Sequence, residues 1–134
     1  MMNGFSDSMY EFDTLCANIA QIEDSIELVA ILNNKGRVIE MAARDEGINK
    51  DLTPQKKEMF FMESVLKSSM NKEHDHEFGK VHGAIIEREK FTIFSFDVLN
   101  YVIVVISRPL LNPIDLKNNI VNTIMSLRKV ELVQ

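Results

Sequence analysis

The sequence predicts an α+β fold in which a five-stranded antiparallel sheet carries helices on both faces. Three observations lead to this fold class. The chain has 134 residues, which suits one domain with its own core. Five short segments have the apolar pattern of strands and are separated by polar turns, and three longer segments have helical spacing. The predicted order is α–β–β–α–β–β–β–α, with residues 1–7 disordered and residues 8–134 forming the domain.

The composition argues against several classes of function. Fifteen Lys and Arg against 20 Asp and Glu give a net charge of −5, whereas general nucleic-acid binding needs a basic surface. A single Cys excludes an internal disulfide framework and a Cys-based zinc cage. The start of the chain lacks the basic segment and the apolar segment of a signal peptide. The apolar run Tyr101–Ile106 is too short to span a membrane. We therefore expect a cytoplasmic protein without membrane insertion.

The first helix is predicted to begin near Ser8. Ser8 and Glu11 have the S-x-x-E spacing of a capping box, in which each side chain satisfies a free backbone amide. The apolar residues that follow recur at steps of three and four, which forms one helix face. Cys16 lies on that face, and we expect a buried thiol there because a reactive cysteine needs exposure and a nearby cation.

A β-hairpin is predicted after this helix. Ile26–Leu32 and Arg37–Ala43 are both rich in apolar residues. The four residues between them, Asn-Asn-Lys-Gly at positions 33–36, include types that tolerate positive φ. This turn chemistry predicts two antiparallel strands joined directly.

The second long helix has the clearest predicted start. Thr53 is a good cap and Pro54 suits the first helical position, where no amide is needed. The helix should extend from Pro54 to about Met70. Four successive large apolar residues at positions 59–62 span about 300° of a helix, so they cannot all face one sheet. Either the monomer covers this helix on two sides, or a partner covers the second side.

Three strands and a last helix complete the predicted domain. Val81–Glu87, Phe91–Phe96 and Tyr101–Ser107 are separated by short polar turns, which predicts an antiparallel meander. The last of these strands is apolar on both faces and should be central in the sheet. Asn112 and Pro113 provide the cap and the first-turn proline that begin the last helix.

This order of elements resembles the roadblock, or dynein-light-chain-type, domain within the wider profilin-like and longin-like group. The amino-acid sequence is most similar to that of a family of small uncharacterised archaeal proteins with a roadblock-like fold. The passages that carry this similarity are IELVAILNNKGRVIEMA (Ile26–Ala42), KEMFFM (Lys57–Met62), MNKEHDHEFGKV (Met70–Val81) and EREKFTIFSF (Glu87–Phe96). The resemblance covers Met9–Val130 and contains no catalytic signature.

The resemblance implies a non-enzymatic homodimer that acts as a scaffold or as a regulator of a small Ras-like GTPase. Roadblock domains dimerise through the middle helix and the adjacent third strand, which correspond here to Pro54–Met70 and Val81–Glu87. The chain has no phosphate-binding loop, so any nucleotide belongs to the partner. No catalytic, cofactor-binding or metal-binding residue is assigned. The predicted dimer or partner interface consists of Met59, Phe60, Phe61, Met62, Val65, Val81, Gly83, Ile85 and Ile86.

A small-ligand sensor of profilin-like or PAS-like architecture is the alternative function. An antiparallel sheet with flanking helices can hold a pocket, and aromatic strand residues could line it. The competing interpretation is that these aromatic side chains are ordinary core. The residues in question are Phe91, Phe94, Phe96 and Tyr101.

A metal-dependent enzyme is the third hypothesis. It would use the charged segment Glu73–Glu77 together with His82, because His and carboxylate side chains bind zinc and other divalent metals. On a helix, however, His74 and His76 would point about 200° apart and could not share a metal. The competing interpretation is a charged, solvated loop.

Overall fold

The computed structural model describes the backbone of residues 11–133 and the side chains of residues 11–127. It confirms the predicted α+β class, and the long elements follow the predicted order. Two one-turn helices are added to it. The elements are α1 (Phe12–Ala20), β1 (Ile26–Leu32), β2 (Val38–Ala43), α2 (Ile48–Asp51), α3 (Pro54–Lys72), α4 (Asp75–Phe78), β3 (Ala84–Glu87), β4 (Thr92–Val98), β5 (Tyr101–Ser107) and α5 (Pro113–Val133).

The strands form one antiparallel sheet in the order β2-β1-β5-β4-β3. β5 is the central strand, as its apolar sequence predicts. β3 is an edge strand and pairs with β4 from Ala84 to Glu87, so it begins later than the predicted Val81. The preceding residues approach the sheet without joining its ladder. A Cβ at Gly83 would lie 3.0 Å from the Phe96 ring, which shows how closely the backbone passes there.

Apolar side chains are buried on both faces of the sheet. On one face, α1 and α5 pack on the sheet through residues such as Leu15 and Ile120. On the other face, α3 packs on β1 and β5 through Phe61 and Val65. All seven residues of β1 are buried because both of its faces are covered.

The turn signal at residues 33–36 and the start signal at residues 53–54 match the structure. The Asn33 side chain accepts hydrogen bonds from the backbone amides of Lys35 and Arg37, and Gly36 has a φ of 82°. The Thr53 hydroxyl accepts from the amide of Lys56 at 3.1 Å, and α3 begins as predicted. The predicted cap Ser8 and residues 1–7 lie outside the described residues. The predicted role of Glu11 is wrong: its backbone is extended and it is itself the N-cap of α1, so it is not the third helical residue that a capping box requires.

Cys16 is buried between α1 and the sheet, and its thiol donates to the carbonyl of Val29 at 3.4 Å. Burial is the main cause that raises the pKa of this thiol from 9.0 to about 11. Because the thiolate is the reactive form, we expect a thiol reagent at pH 8 to label the folded protein at least about tenfold more slowly than the urea-unfolded chain. Equal labelling rates in the two states would contradict the burial of Cys16.

The same raised pKa predicts a dependence of stability on pH. The folded state holds the thiol proton more tightly than the unfolded state, so Cys16 favours folding below about pH 9. This contribution falls as the pH rises from about 9 towards 11, because the unfolded chain then releases the proton first.

Candidate interaction surface

The helix α3 has two apolar faces, and the described part of the chain covers one of them. Phe61 and Val65 are 3% and 7% exposed and form part of the core. Four other large apolar side chains of the helix are between 44% and 64% exposed. They recur at steps of three and four residues, so they form one stripe along the helix. This α3 stripe consists of Met59, Met62, Leu66 and Met70.

Two grooves flank the α3 stripe. On the β2 side, Met62 lies against the hairpin turn, and a Cβ at Gly36 would be 3.2 Å from the Met62 Cα. On the β4 side, Phe60, Phe91 and Ile93 line a groove of about 480 Å³. The stripe therefore stands as a ridge between two depressions of the surface.

Both edge strands carry exposed apolar side chains. On β2, Val38 and Ile39 are 44% and 42% exposed, and on β3, Ile86 is 38% exposed. Within the described residues, each of these strands is paired on one side. An edge strand with an open side can pair with another chain.

The predicted interface residues separate into an exposed and a buried group. Met59, Met62 and Ile86 are exposed, whereas Phe61 and Val65 use their apolar area inside the protomer. The other four, Phe60, Val81, Gly83 and Ile85, are half-buried. The interface predicted from the sequence does not contain Leu66 and Met70. Their spacing of three and four residues from Met59 and Met62 places them on the same helix face, and this pattern could have identified them.

The charged segment 73–77 is the candidate metal site of the metal-dependent hypothesis. Among the described side chains, no group of three or more His, Cys, Asp or Glu residues could hold a metal ion. α4 begins at Asp75, with His74 at its cap position and His76 inside the helix. The metal-dependent hypothesis therefore has no set of ligands in that part of the chain.

The four aromatic residues considered for a ligand pocket do not share one. Phe94 is fully buried in the core, and Tyr101 packs edge-on against Phe12 with ring centroids 4.8 Å apart. Phe91 lines the groove beside α3. Only Phe96 of the four lines a separate cavity of about 770 Å³ near α5.

None of the helices in residues 11–133 is long and apolar enough to cross a membrane.

Solved structures with a similar fold include a Roadblock/LC7 domain and MglB proteins. The Roadblock/LC7 domain from Streptomyces avermitilis superposes with a TM-score of 0.67 at 14% identity, covering 90% of this chain and 97% of that domain. MglB from Myxococcus xanthus superposes with a TM-score of 0.63 at 12% identity, covering 90% of this chain and 96% of MglB. A structure described as MglB with tetrameric arrangement superposes with a TM-score of 0.65 at 8% identity, covering 92% of each chain. The predicted roadblock-like fold is confirmed.

The sequence itself matches one protein family, described as a family of unknown function, DUF6659. The match covers residues 6–129, which is almost the whole chain. No curated protein matches the sequence.

Proposed function

Because this chain belongs to the DUF6659 family and has a roadblock-like fold, we propose that it is a non-catalytic interaction module that works as a homodimer. The α3 stripe carries the proposal, because four large apolar side chains are exposed on a helix that already buries another face. Exposed apolar patches of this kind mark interaction sites. The roadblock-type resemblance points to the same helix as the dimer contact.

In the proposed dimer, the α3 helices of two copies pack with their stripes facing each other. β3 lies at the edge of the sheet, and its outer side can pair with β3 of the second copy. Ile86 adds an exposed apolar side chain on that strand. β3 is only four residues long and runs into the charged turn at 88–90, so the helices contribute most of the apolar contact.

Leu66→Glu is expected to give a folded monomer. Leu66 is 53% exposed in the protomer, so the fold tolerates a charge there, but the dimer would bury two unpaired carboxylates. Because the dimer can bury only the exposed half of the Leu66 side chain, loss of this apolar burial removes about 1 kcal/mol per copy, and the two buried carboxylates add the larger cost. We expect the dissociation constant, measured by light scattering across a dilution series, to rise at least about a hundredfold.

Lys67→Glu is the matched control for this test. It introduces the same residue at the next position of the helix, which is exposed and lies outside the α3 stripe. We expect this variant to dimerise as the wild type does. A monomeric wild type, or an equal loss of dimer in both variants, would contradict the proposed interface.

We further propose that the dimer binds a small Ras-like GTPase, in line with the roadblock-type resemblance. The sequence has no phosphate-binding loop, so the nucleotide site lies on the partner. Rates of GTP hydrolysis and GDP release by small Ras-like GTPases of the same organism, measured with and without the chain, test this step. Unchanged rates for all of them, together with no binding in either nucleotide state, would contradict the partner but not the homodimer.

A further inference from the structure

A cavity of about 770 Å³ lies between the ends of α3 and α4, the β4–β5 turn and α5. This volume is within the range of about 300–1,000 Å³ that small-molecule sites occupy. Apolar side chains, buried or half-buried, form part of its wall, and charged side chains form another part. The apolar group includes Phe96, Val98, Val121 and Ile124, and the charged group includes Lys72, Asp75, Lys80, Asp97 and Lys117.

The cavity exists because β3 is shorter than β4. β3 pairs with β4 only as far as Ser95, so Phe96–Val98 have no neighbouring strand on that side. The chain that leads into β3 approaches the sheet at Gly83, while Lys80 and Val81 stand in the cavity wall. A gap that lies between backbone segments, rather than between loosely packed side chains, is part of the architecture.

Asp75 provides an acceptor that the protein does not use. Its Oδ1 is the one buried side-chain nitrogen or oxygen atom without a hydrogen-bond partner among the described residues. Asp75 lines the cavity and is half-buried as a residue, and the terminal torsion of a carboxylate is soft, so rotation about it can turn this oxygen towards the cavity. Asp97, the other carboxylate in the wall, already accepts from the Ser68 hydroxyl at 2.8 Å.

Three lysines in the cavity wall carry positive charges that no carboxylate of the described residues pairs with. Lys72, Lys80 and Lys117 line the cavity against two carboxylates, in a chain whose net charge is −5. Within the described part of the chain, none of the three lysines forms an ion pair. A ligand that suits this wall therefore carries both a cationic donor and an anionic group.

We propose that the cavity binds a free α-amino acid with a large apolar side chain. Its ammonium group donates to Asp75, and its carboxylate lies by Lys80 and Lys117. Its side chain packs on the accessible apolar part of the wall, where Leu99 and Met125 are 45% and 50% exposed. An amine, a simple acid or a polar amino acid satisfies only part of this wall.

Thermal unfolding with L-phenylalanine, L-leucine and L-methionine at millimolar concentration tests the proposal. We expect at least one of them to raise the melting temperature by a few degrees, because a ligand that binds the folded state stabilises it. Phenethylamine, 3-phenylpropanoate and L-aspartate each lack one of the three groups and should give little or no shift. No shift with any apolar amino acid, or an equal shift with the partial compounds, overturns the proposal.

Two variants test whether the amino acid binds in this cavity. Asp75→Asn keeps the shape of the side chain and removes its charge, so the dissociation constant of the active amino acid, measured by calorimetry, should rise at least about tenfold. Glu77→Gln makes the same change on α4 outside the cavity wall and should bind as the wild type does. Undiminished binding by Asp75→Asn overturns the assignment. Leu66→Glu should keep the ligand response, so this test does not depend on the homodimer.

Discussion

Phe61→Asp is expected to destabilise the protomer strongly. The Phe61 side chain is 3% exposed and packs in the cluster between α3 and the sheet. Removing a buried phenylalanine side chain costs about 3–5 kcal/mol, and a buried carboxylate without a partner adds to that cost. Most domains have a total stability of only about 5–15 kcal/mol. We expect the free energy of unfolding, measured in urea at neutral pH, to fall by about 4 kcal/mol or more.

Met62→Asp is the matched control at the next position. Met62 is 44% exposed in the protomer, so its replacement leaves the core intact. Measured at a concentration where the wild type is monomeric, its free energy of unfolding should fall by less than about 1 kcal/mol. If the two variants lose equal stability, the face of α3 that packs on the sheet is not the one that contains Phe61.

The contrast between Phe61 and Met62 shows how far the sequence could predict α3. The run of apolar residues at 59–62 predicts a helix with more than one apolar face, and the structure has both faces. The run does not say which face meets the sheet, because it covers most of the helix circumference. That choice depends on sheet residues such as Leu28 and Val104, which are distant in sequence and project towards α3.

Predictions that depend on a few neighbouring residues agree with the structure at the start of α3 and at the hairpin turn. The Thr53 cap, Pro54 and the turn at 33–36 each depend on neighbours in the chain, and each is found as predicted. The late start of β3 depends on the approach of Gly83 to Phe96, which no local pattern records. The cavity near α5 follows from that late start, so the sequence could not predict where it lies.

The one-turn helix α2 depends on a contact of the same long-range kind. The carboxylate of Glu27, on β1, accepts a hydrogen bond from the amide of Ile48 at 2.8 Å. Its other oxygen lies 3.5 Å from the guanidinium of Arg108. Glu27 is 8% exposed, so this acid is held inside the protein by donors from two other segments. Gly47 lets the chain pass over the carboxylate.

Gly47→Ala is therefore expected to destabilise the fold strongly. Gly47 has a φ of 88°, and a Cβ there would lie 2.3 Å from Oε1 of Glu27. The alanine both strains the backbone, whose positive φ and ψ of −146° are adopted almost only by glycine, at about 1–3 kcal/mol, and displaces a buried carboxylate from its donors. Loss of a partner by a buried charge costs about 3–5 kcal/mol. We expect the free energy of unfolding in urea to fall by about 3 kcal/mol or more.

Gly79→Ala separates the two parts of this effect. Gly79 has a φ of 82°, close to that of Gly47, but a Cβ there meets no atom within 4 Å. It should therefore show only the backbone cost of about 1–3 kcal/mol. The difference between the two variants then measures what the carboxylate of Glu27 contributes by joining β1 to α2. If both variants lose the same stability, the carboxylate can move without losing its donors, and α2 does not depend on this contact.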